Sequence, residues 1–160
     1  MPELRGVDHL ALSITDLNRS ERFYTDVLGM VRLLDFGHGR VLCHRPTSLC
    51  LTLVRHDGAY GGRFTELTTG IDHLGFLVDS RDDLVAWEQR LDELGVEYTP
   101  IRDMEFGAHL NFRDPDSIAL ELSVSNAVAA GWFAELRERD IPREEIDRRI
   151  AEHLGSLAPA

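Results

Sequence analysis

Cysteine, positive charge and long apolar runs are all scarce in this sequence, and each scarcity excludes something. The two cysteines, Cys43 and Cys50, lie seven positions apart without a CxxC pair, so no disulfide framework is expected and both read as reduced thiols used for packing. Only 17 Lys and Arg stand against 28 Asp and Glu, a formal net charge of −11. A surface of that sign repels polyanions, which excludes nucleic acid and anionic membranes as expected partners and leaves a small-molecule or protein partner. The longest uncharged stretch, Leu122 to Ala134, has 13 residues, short of the ~18 that suggest a membrane span. No apolar run follows the early charges Glu3 and Arg5, so no secretory signal is expected and a cytoplasmic location is.

What is present suffices for a core: 160 residues, 43% of them hydrophobic, fit one compact unit or two small modules sharing an interior. The order of the chain favours the second. Val7 to Ile14 (Val-Asp-His-Leu-Ala-Leu-Ser-Ile) returns 64 positions later as Ile71 to Val78 (Ile-Asp-His-Leu-Gly-Phe-Leu-Val), and both read as buried strands. A polar start follows each, then helical spacing over Leu17 to Leu28 and Leu84 to Leu94, ended by Gly29 and Gly95 as helix caps. Three strands are expected after each glycine: Val31 to Phe36, Arg40 to His44 and Leu49 to Arg55, then Glu97 to Arg102, Ala108 to Arg113 and Ile118 to Val124. The turn before the last strand repeats as Arg45-Pro46-Thr47-Ser48 and Asp114-Pro115-Asp116-Ser117. Gly37-His38-Gly39 lacks the later glycine and the helix of a phosphate loop and reads as a tight hairpin.

The expected architecture is α+β: a first βαβββ module over 1–57, a Gly-rich linker or flap over 58–70, a second module over 71–125 and a helical tail over 126–160. In the tail, Trp132, Phe133, Leu136 and Ile141, then Ile146, Ile150 and Leu154, recur at helical intervals, with Pro142 near the start of the second helix. Their apolar faces need a partner, either the sheet or another subunit. The charged runs 137–140 and 143–149 read as solvated helix faces.

His9 and His73 hold the same place in the two repeats, and Glu121 sits inside the apolar strand Ile118-Ala119-Leu120-Glu121-Leu122. A lone strand histidine is ordinarily a hydrogen-bonded core residue. Its repetition reverses that preference, because a carboxylate in an apolar strand is costly unless paired or bound to a cation. Two imidazoles and one carboxylate form the facial set associated with non-heme Fe(II), with open positions for substrate.

At this point the sequence resembles the vicinal oxygen chelate superfamily, which includes glyoxalase-type, bleomycin-resistance-type and extradiol-dioxygenase-type proteins. The carriers, within residues 5–125, are Val7-Asp8-His9-Leu10-Ala11-Leu12, Ser20-Glu21-Arg22-Phe23-Tyr24 with Val27-Leu28-Gly29, Ile71-Asp72-His73-Leu74-Gly75-Phe76, and Phe112-Arg113-Asp114-Pro115-Asp116 leading to Leu120-Glu121-Leu122. The resemblance implies paired βαβββ modules curled around a metal-centred β-cavity, with His9, His73 and Glu121 as ligands. It implies a divalent cation, Fe(II) or Mn(II) favoured and Zn or Ni as alternatives, which chelates two adjacent oxygens of a small oxygen-rich, catechol-like substrate. A homodimer is expected.

Dioxygenase-like chemistry is the favoured reaction. Thr52 stands opposite Glu121 in the repeat, where a glyoxalase-like lyase or isomerase would need a carboxylate or amide, which disfavours that class. Extradiol enzymes with this motif usually carry a Tyr at the position of Asn111, and Ala59 occupies the spacing of their acid/base His, with His56 nearby. Ser123 to Gly131 contains no Lys or Arg to hold a phosphonate as fosfomycin-resistance proteins do. By repeat alignment Arg40 and Leu42 correspond to His109 and Asn111, so His109, Asn111 and Arg40, together with Tyr98 and His56, are the candidate proton-transfer and orienting residues. A bleomycin-resistance-type binder of small molecules is the rival, and a tail-mediated interaction module is a third reading. His38, His44 and His153 are expected at the surface.

Overall fold

A computed structural model of the chain describes residues 6–58 and 61–157. The expectations for the amino-terminal segment 1–5 and for Ala59 lie outside the described residues.

The first module runs β1 (His9–Ser13), α1 (Leu17–Asp26), β2 (Val31–Asp35), β3 (Gly39–His44) and β4 (Leu49–Val54). The second repeats it as β5 (Leu74–Leu77), α2 (Arg81–Glu93), β6 (Arg102–Met104), β7 (Gly107–Arg113) and β8 (Ala119–Ser125). Two helices, α3 (Ala127–Glu138) and α4 (Arg143–Leu157), follow. Each module forms a four-stranded sheet, ordered β1-β4-β3-β2 and β5-β8-β7-β6. The first and last strands of each are parallel neighbours, a pairing that needs a long crossover between them, supplied by the helix and the two middle strands.

The caps explain where the helices begin and end. Asp16 accepts from Arg19 N–H at 2.9 Å, Ser80 from Asp83 N–H at 3.1 Å and Asn126 from Ala129 N–H at 2.9 Å, satisfying otherwise orphaned donors. The expected C-cap glycines are found, Gly29 at φ +67° and Gly95 at φ +65°, a left-handed conformation that costs glycine little. The expected hairpin at Gly37 is found too, with φ +87° and its N–H given to Asp35 Oδ1 at 2.9 Å.

Strand parity divides each sheet into a helix-packed face and an open face. Leu12, Leu42, Leu51 and Leu53 join Tyr24 in the core, and Leu110, Phe112, Leu120 and Leu122 join Leu84 and Leu91. The modules are locked together at α1. Tyr24 Oη donates to Asp114 Oδ2 at 3.1 Å, and Asp116 accepts from Thr15 N–H at 2.9 Å, Arg19 Nη2 at 2.7 Å and the Thr15 hydroxyl. At the other end Arg90 of α2 donates to the carbonyls of Val27, at 3.1 Å, and Asp26, cations being favourable at a helix C-terminus.

One expectation needs correction. The strand expected over Glu97 to Arg102 forms instead at Arg102–Met104. Pro100 has no N–H for the ladder, and only an isolated bridge, Tyr98 to Phe112, precedes it. Of the two partners expected for the tail, sheet or second subunit, the sheet is found: α3 lies against β8, and the rings of Phe106, Trp132 and His153 cluster at centroid distances of 5.0 to 6.0 Å. His153, expected at the surface, is partly exposed there and is a hydrogen-bond partner of Glu105 O at 2.8 Å, which ties α4 to the β6–β7 turn. Among the described residues no helix is long and apolar enough to cross a membrane.

Candidate metal centre

The open face of the second sheet carries the chemistry. Asn111 pairs with Glu121, and Glu121 with Gly75; His109 pairs with Ser123 and with Arg102. These residues share the parity opposite to that of the buried leucines. Asp114 N–H donates to Ile118 O and Asn126 N–H to Phe106 O, so in the alternation of an antiparallel ladder Asn111 and Glu121 form a non-hydrogen-bonded pair, the kind whose side chains stand closest.

Glu121 is a half-enclosed carboxylate with 15% of its side chain exposed, and it faces two imidazoles. His109 Nδ1 lies 2.7 Å from Oε2, while His73 Nε2 lies 3.9 Å from Oε1. With the His109 Nδ1–H given to the carboxylate, Nε2 is a bare lone pair; it is buried and has no hydrogen-bond partner. An orphaned buried acceptor of this kind is the mark of a site that expects a proton or a ligand.

Asp72 holds His73, with Oδ1 2.7 Å from Nδ1, and Asp8 holds His9 in the same way at 2.7 Å. A carboxylate on Nδ1 fixes the tautomer that leaves Nε2 free for a cation, the arrangement common around metal-ligating histidines. Asp8 and Asp72 were not picked out from sequence, although the signal was there: the repeat copies Asp-His, not His alone. Arg102 was also missed. It stands beside His109 on the open face and, among the described residues, makes no ion pair.

His9 lies on the open face of the other sheet, in register with Cys50, and 55% of its side chain is exposed. Among the described residues no group of three or more His, Cys, Asp and Glu side chains is gathered closely enough to hold a metal ion. One chain therefore brings His73 to Glu121 but does not bring His9 to either. The donors present fit a divalent cation in kind, two imidazoles held at Nδ1 and one carboxylate.

Three expected residues fall elsewhere. Arg40 points to the α1 side, bonded to Glu21 Oε2 at 2.6 Å and Asp35 Oδ2 at 2.9 Å. The repeat alignment slips because four residues separate the paired ends His44 and Leu49, whereas five separate Arg113 and Ala119. One extra residue reverses parity, so Val41, not Arg40, shares the face of Thr52. Tyr98 bridges Phe112 on the helix side and gives its hydroxyl to Asp92 at 3.1 Å. His56 lines a hollow of about 630 Å³ with Ser13, Thr15, Phe64, Ile71 and Asp116, beside the open face of the first sheet and apart from Glu121.

A sequence profile of the Glyoxalase/Bleomycin resistance protein/Dioxygenase superfamily matches residues 6–122. The chain is 29% identical over 136 residues to glutathione transferase FosA of Serratia marcescens, covering 85% of this chain and 91% of that protein. Among solved structures, a glyoxylase/bleomycin resistance protein/dioxygenase domain from Frankia sp. EAN1pec superposes with a TM-score of 0.70 at 37% identity, over 78% of this chain and 100% of that one. A fosfomycin resistance protein FosX of Listeria monocytogenes, in complex with Mn(II) and 1S,2S-dihydroxypropylphosphonic acid, superposes with a TM-score of 0.62 at 22% identity, over 79% of this chain and 95% of that one.

Proposed function

Because the chain belongs to the glyoxalase/bleomycin resistance protein/dioxygenase superfamily, we propose that it is a metal-dependent enzyme acting on a small molecule with two adjacent oxygens. The carrying observation is Glu121 set between His73 and His109, with the buried Nε2 of His109 left unpartnered. His73 and Glu121 hold the cation, and His9 of a second copy completes the set, since one chain leaves His9 on a separate open face. When bound, a divalent cation supplies Lewis-acid polarisation of the chelated oxygens. His109 accepts a proton at Nε2 while its Nδ1–H anchors Glu121, and Asn111, directly across the ladder from Glu121, orients the substrate. A binder that merely sequesters its ligand has no use for this donor set.

Two reaction classes suit such a centre. Dioxygenase-like chemistry with Fe(II) or Mn(II) on a catecholic substrate is the one the residue pattern first suggests. Addition of a nucleophile to a small anionic substrate is favoured by a specific feature: Arg102 beside His109 offers the cation that the segment after Glu121 lacks. The likeness to FosA supports the same class, and the diol phosphonate bound with Mn(II) in FosX is a ligand of this chemistry.

Metal analysis of protein purified without added metal tests the central reading. A divalent metal retained by the wild type and lost in Glu121→Gln is expected; equal retention by both, or a wild type that takes up no Mn(II), Fe(II), Zn(II) or Ni(II), overturns it. Assay of the Mn(II) form with a phosphonate epoxide and thiols, against oxygen uptake by the Fe(II) form with catechols, separates the two reactions.

A further inference from the structure

We propose that Cys43 and Cys50 are a redox-labile pair that a hydroperoxide closes to an intrachain disulfide on the open face of the first sheet. The cysteines are direct cross-strand partners of β3 and β4, both free and partly exposed. Arg55 N–H donates to His38 O at 2.8 Å, one step beyond the paired Gly39 and Val54. Counting along the ladder from that hydrogen-bonded pair, bonded and non-bonded pairs alternate, and Cys43 with Cys50 falls on a non-bonded one. Cα atoms at such a pair stand about 4.5 Å apart, inside the span a disulfide bridges without moving the backbone. Both side chains leave the sheet on the same face.

That face is the one bearing His9, whose Cα partner on the neighbouring parallel strand is Cys50. The row His9, Cys50, Cys43 thus crosses three adjacent strands. Hydrogen peroxide is the class of oxidant that suits it, being neutral, whereas an anionic disulfide such as oxidised glutathione must approach a chain of net charge −11 with Asp8 beside the row. In the first step one thiolate sulfur attacks a peroxide oxygen; the O–O bond breaks, hydroxide leaves and takes a proton as water, and a sulfenic acid remains. In the second, the other sulfur, its proton lost, attacks the sulfenic sulfur. The S–O bond breaks and a second water departs. Two thiols and one peroxide give one disulfide and two waters, with two electrons passing to the peroxide. The proposal does not depend on the metal reading.

The test treats the reduced full chain with hydrogen peroxide, once with Mn(II) and once with a chelator, followed by iodoacetamide and trypsin. Residues 41–55 form one tryptic peptide holding both cysteines, because Arg45 precedes Pro46. That peptide is expected to be two hydrogens lighter and unalkylated, and to regain both alkylation sites after dithiothreitol. In Cys50→Ser, checked for native fold by circular dichroism, oxidation is expected to halt at a Cys43 sulfenic acid trapped by dimedone. Separate sulfinic acids with no linkage in the wild type, or linkage only between copies on a non-reducing gel, overturn the proposal. Closure by oxidised glutathione as fast as by peroxide at equal concentration overturns the choice of a neutral oxidant.

Discussion

Glu121 illustrates how much a single residue in a strand reveals. Its neighbours Leu120 and Leu122 are buried against α2, at 0% and 2% exposure, so the carboxylate is carried by parity to the opposite face, where two imidazoles meet it. An isolated charge there would be costly, and hydrogen bonding to His109 offsets only one of its oxygens. The aspartates before His73 and His9 belong to the same economy of orientation, each fixing Nδ1 so that Nε2 is presented. Asp72→Asn keeps the size and a hydrogen-bond acceptor but removes the charge that strengthens the ring as a donor to metal. Expected is a 10- to 100-fold weaker affinity for Mn(II), the range for losing such a partner, measured by competition with a fluorescent chelator. An unchanged affinity would mean that Asp72 serves the fold alone.

Among the elements, α1 is the one on which the two modules meet, and the Asp-Pro-Asp turn of the second module holds it. Asp114 is 4% exposed, and burial pushes its carboxyl up to about 6, against the pull of hydrogen bonds from Ile118 N–H, Tyr24 Oη and Asp116 N–H. The folded state therefore binds this proton more tightly than the unfolded chain does. The resulting stabilisation is complete below about pH 4 and is lost as pH rises through about 6, amounting to about 3 kcal/mol over the window. Carboxylates held low by partners, such as Asp103 beside Arg81 and Glu135 beside Arg149, act in the opposite sense, their stabilisation being lost as pH falls through their lowered values, beneath the Asp114 window. Urea midpoints taken between pH 4.5 and 7 are thus expected to fall further in the wild type than in Asp114→Asn, whose amide does not titrate.

The order of these elements was legible from sequence because the repeat copied everything that sets it: the strand, the helix cap and the closing glycine. His73 stood out because it repeats His9, whereas Glu121, opposite Thr52 in the repeat, stood out as a carboxylate within an apolar strand. What the repeat misreported was parity across its own hairpins, since one extra turn residue moves Arg40 to the helix side without altering any strand's hydrophobic pattern. Tyr98 was misjudged because Pro100 breaks the strand on which its facing was counted. Arg102 escaped notice because its position beside His109 exists only once β6 pairs with β7.

At the scale of the whole molecule, one open sheet face bears His9 and the other bears His73 and Glu121, the three proposed ligands. Leu34 and Met104, on opposite modules, expose 55% and 53% of their surface, and Leu77 exposes 73%; strand pairing puts all three on the open faces. Apolar residues collected there call for a cover. In the two-fold dimer proposed above, the first sheet of one copy would face the second sheet of the other, and the symmetry would make two equal sites, each with His9 from one copy and His73 with Glu121 from the other. This arrangement has a consequence that a site built within one chain lacks. A dimer of one His9→Ala chain and one Glu121→Ala chain has one doubly damaged site and one intact one. Random pairing on co-expression makes half of all dimers mixed, so about a quarter of wild-type metal binding and activity is expected to return, although each variant alone has neither. Metal content and turnover of the co-purified mixture, with different affinity tags on the two chains to isolate mixed dimers, give the measurement. Mixed dimers that bind no metal would place all three ligands within a single chain, in an arrangement other than this one.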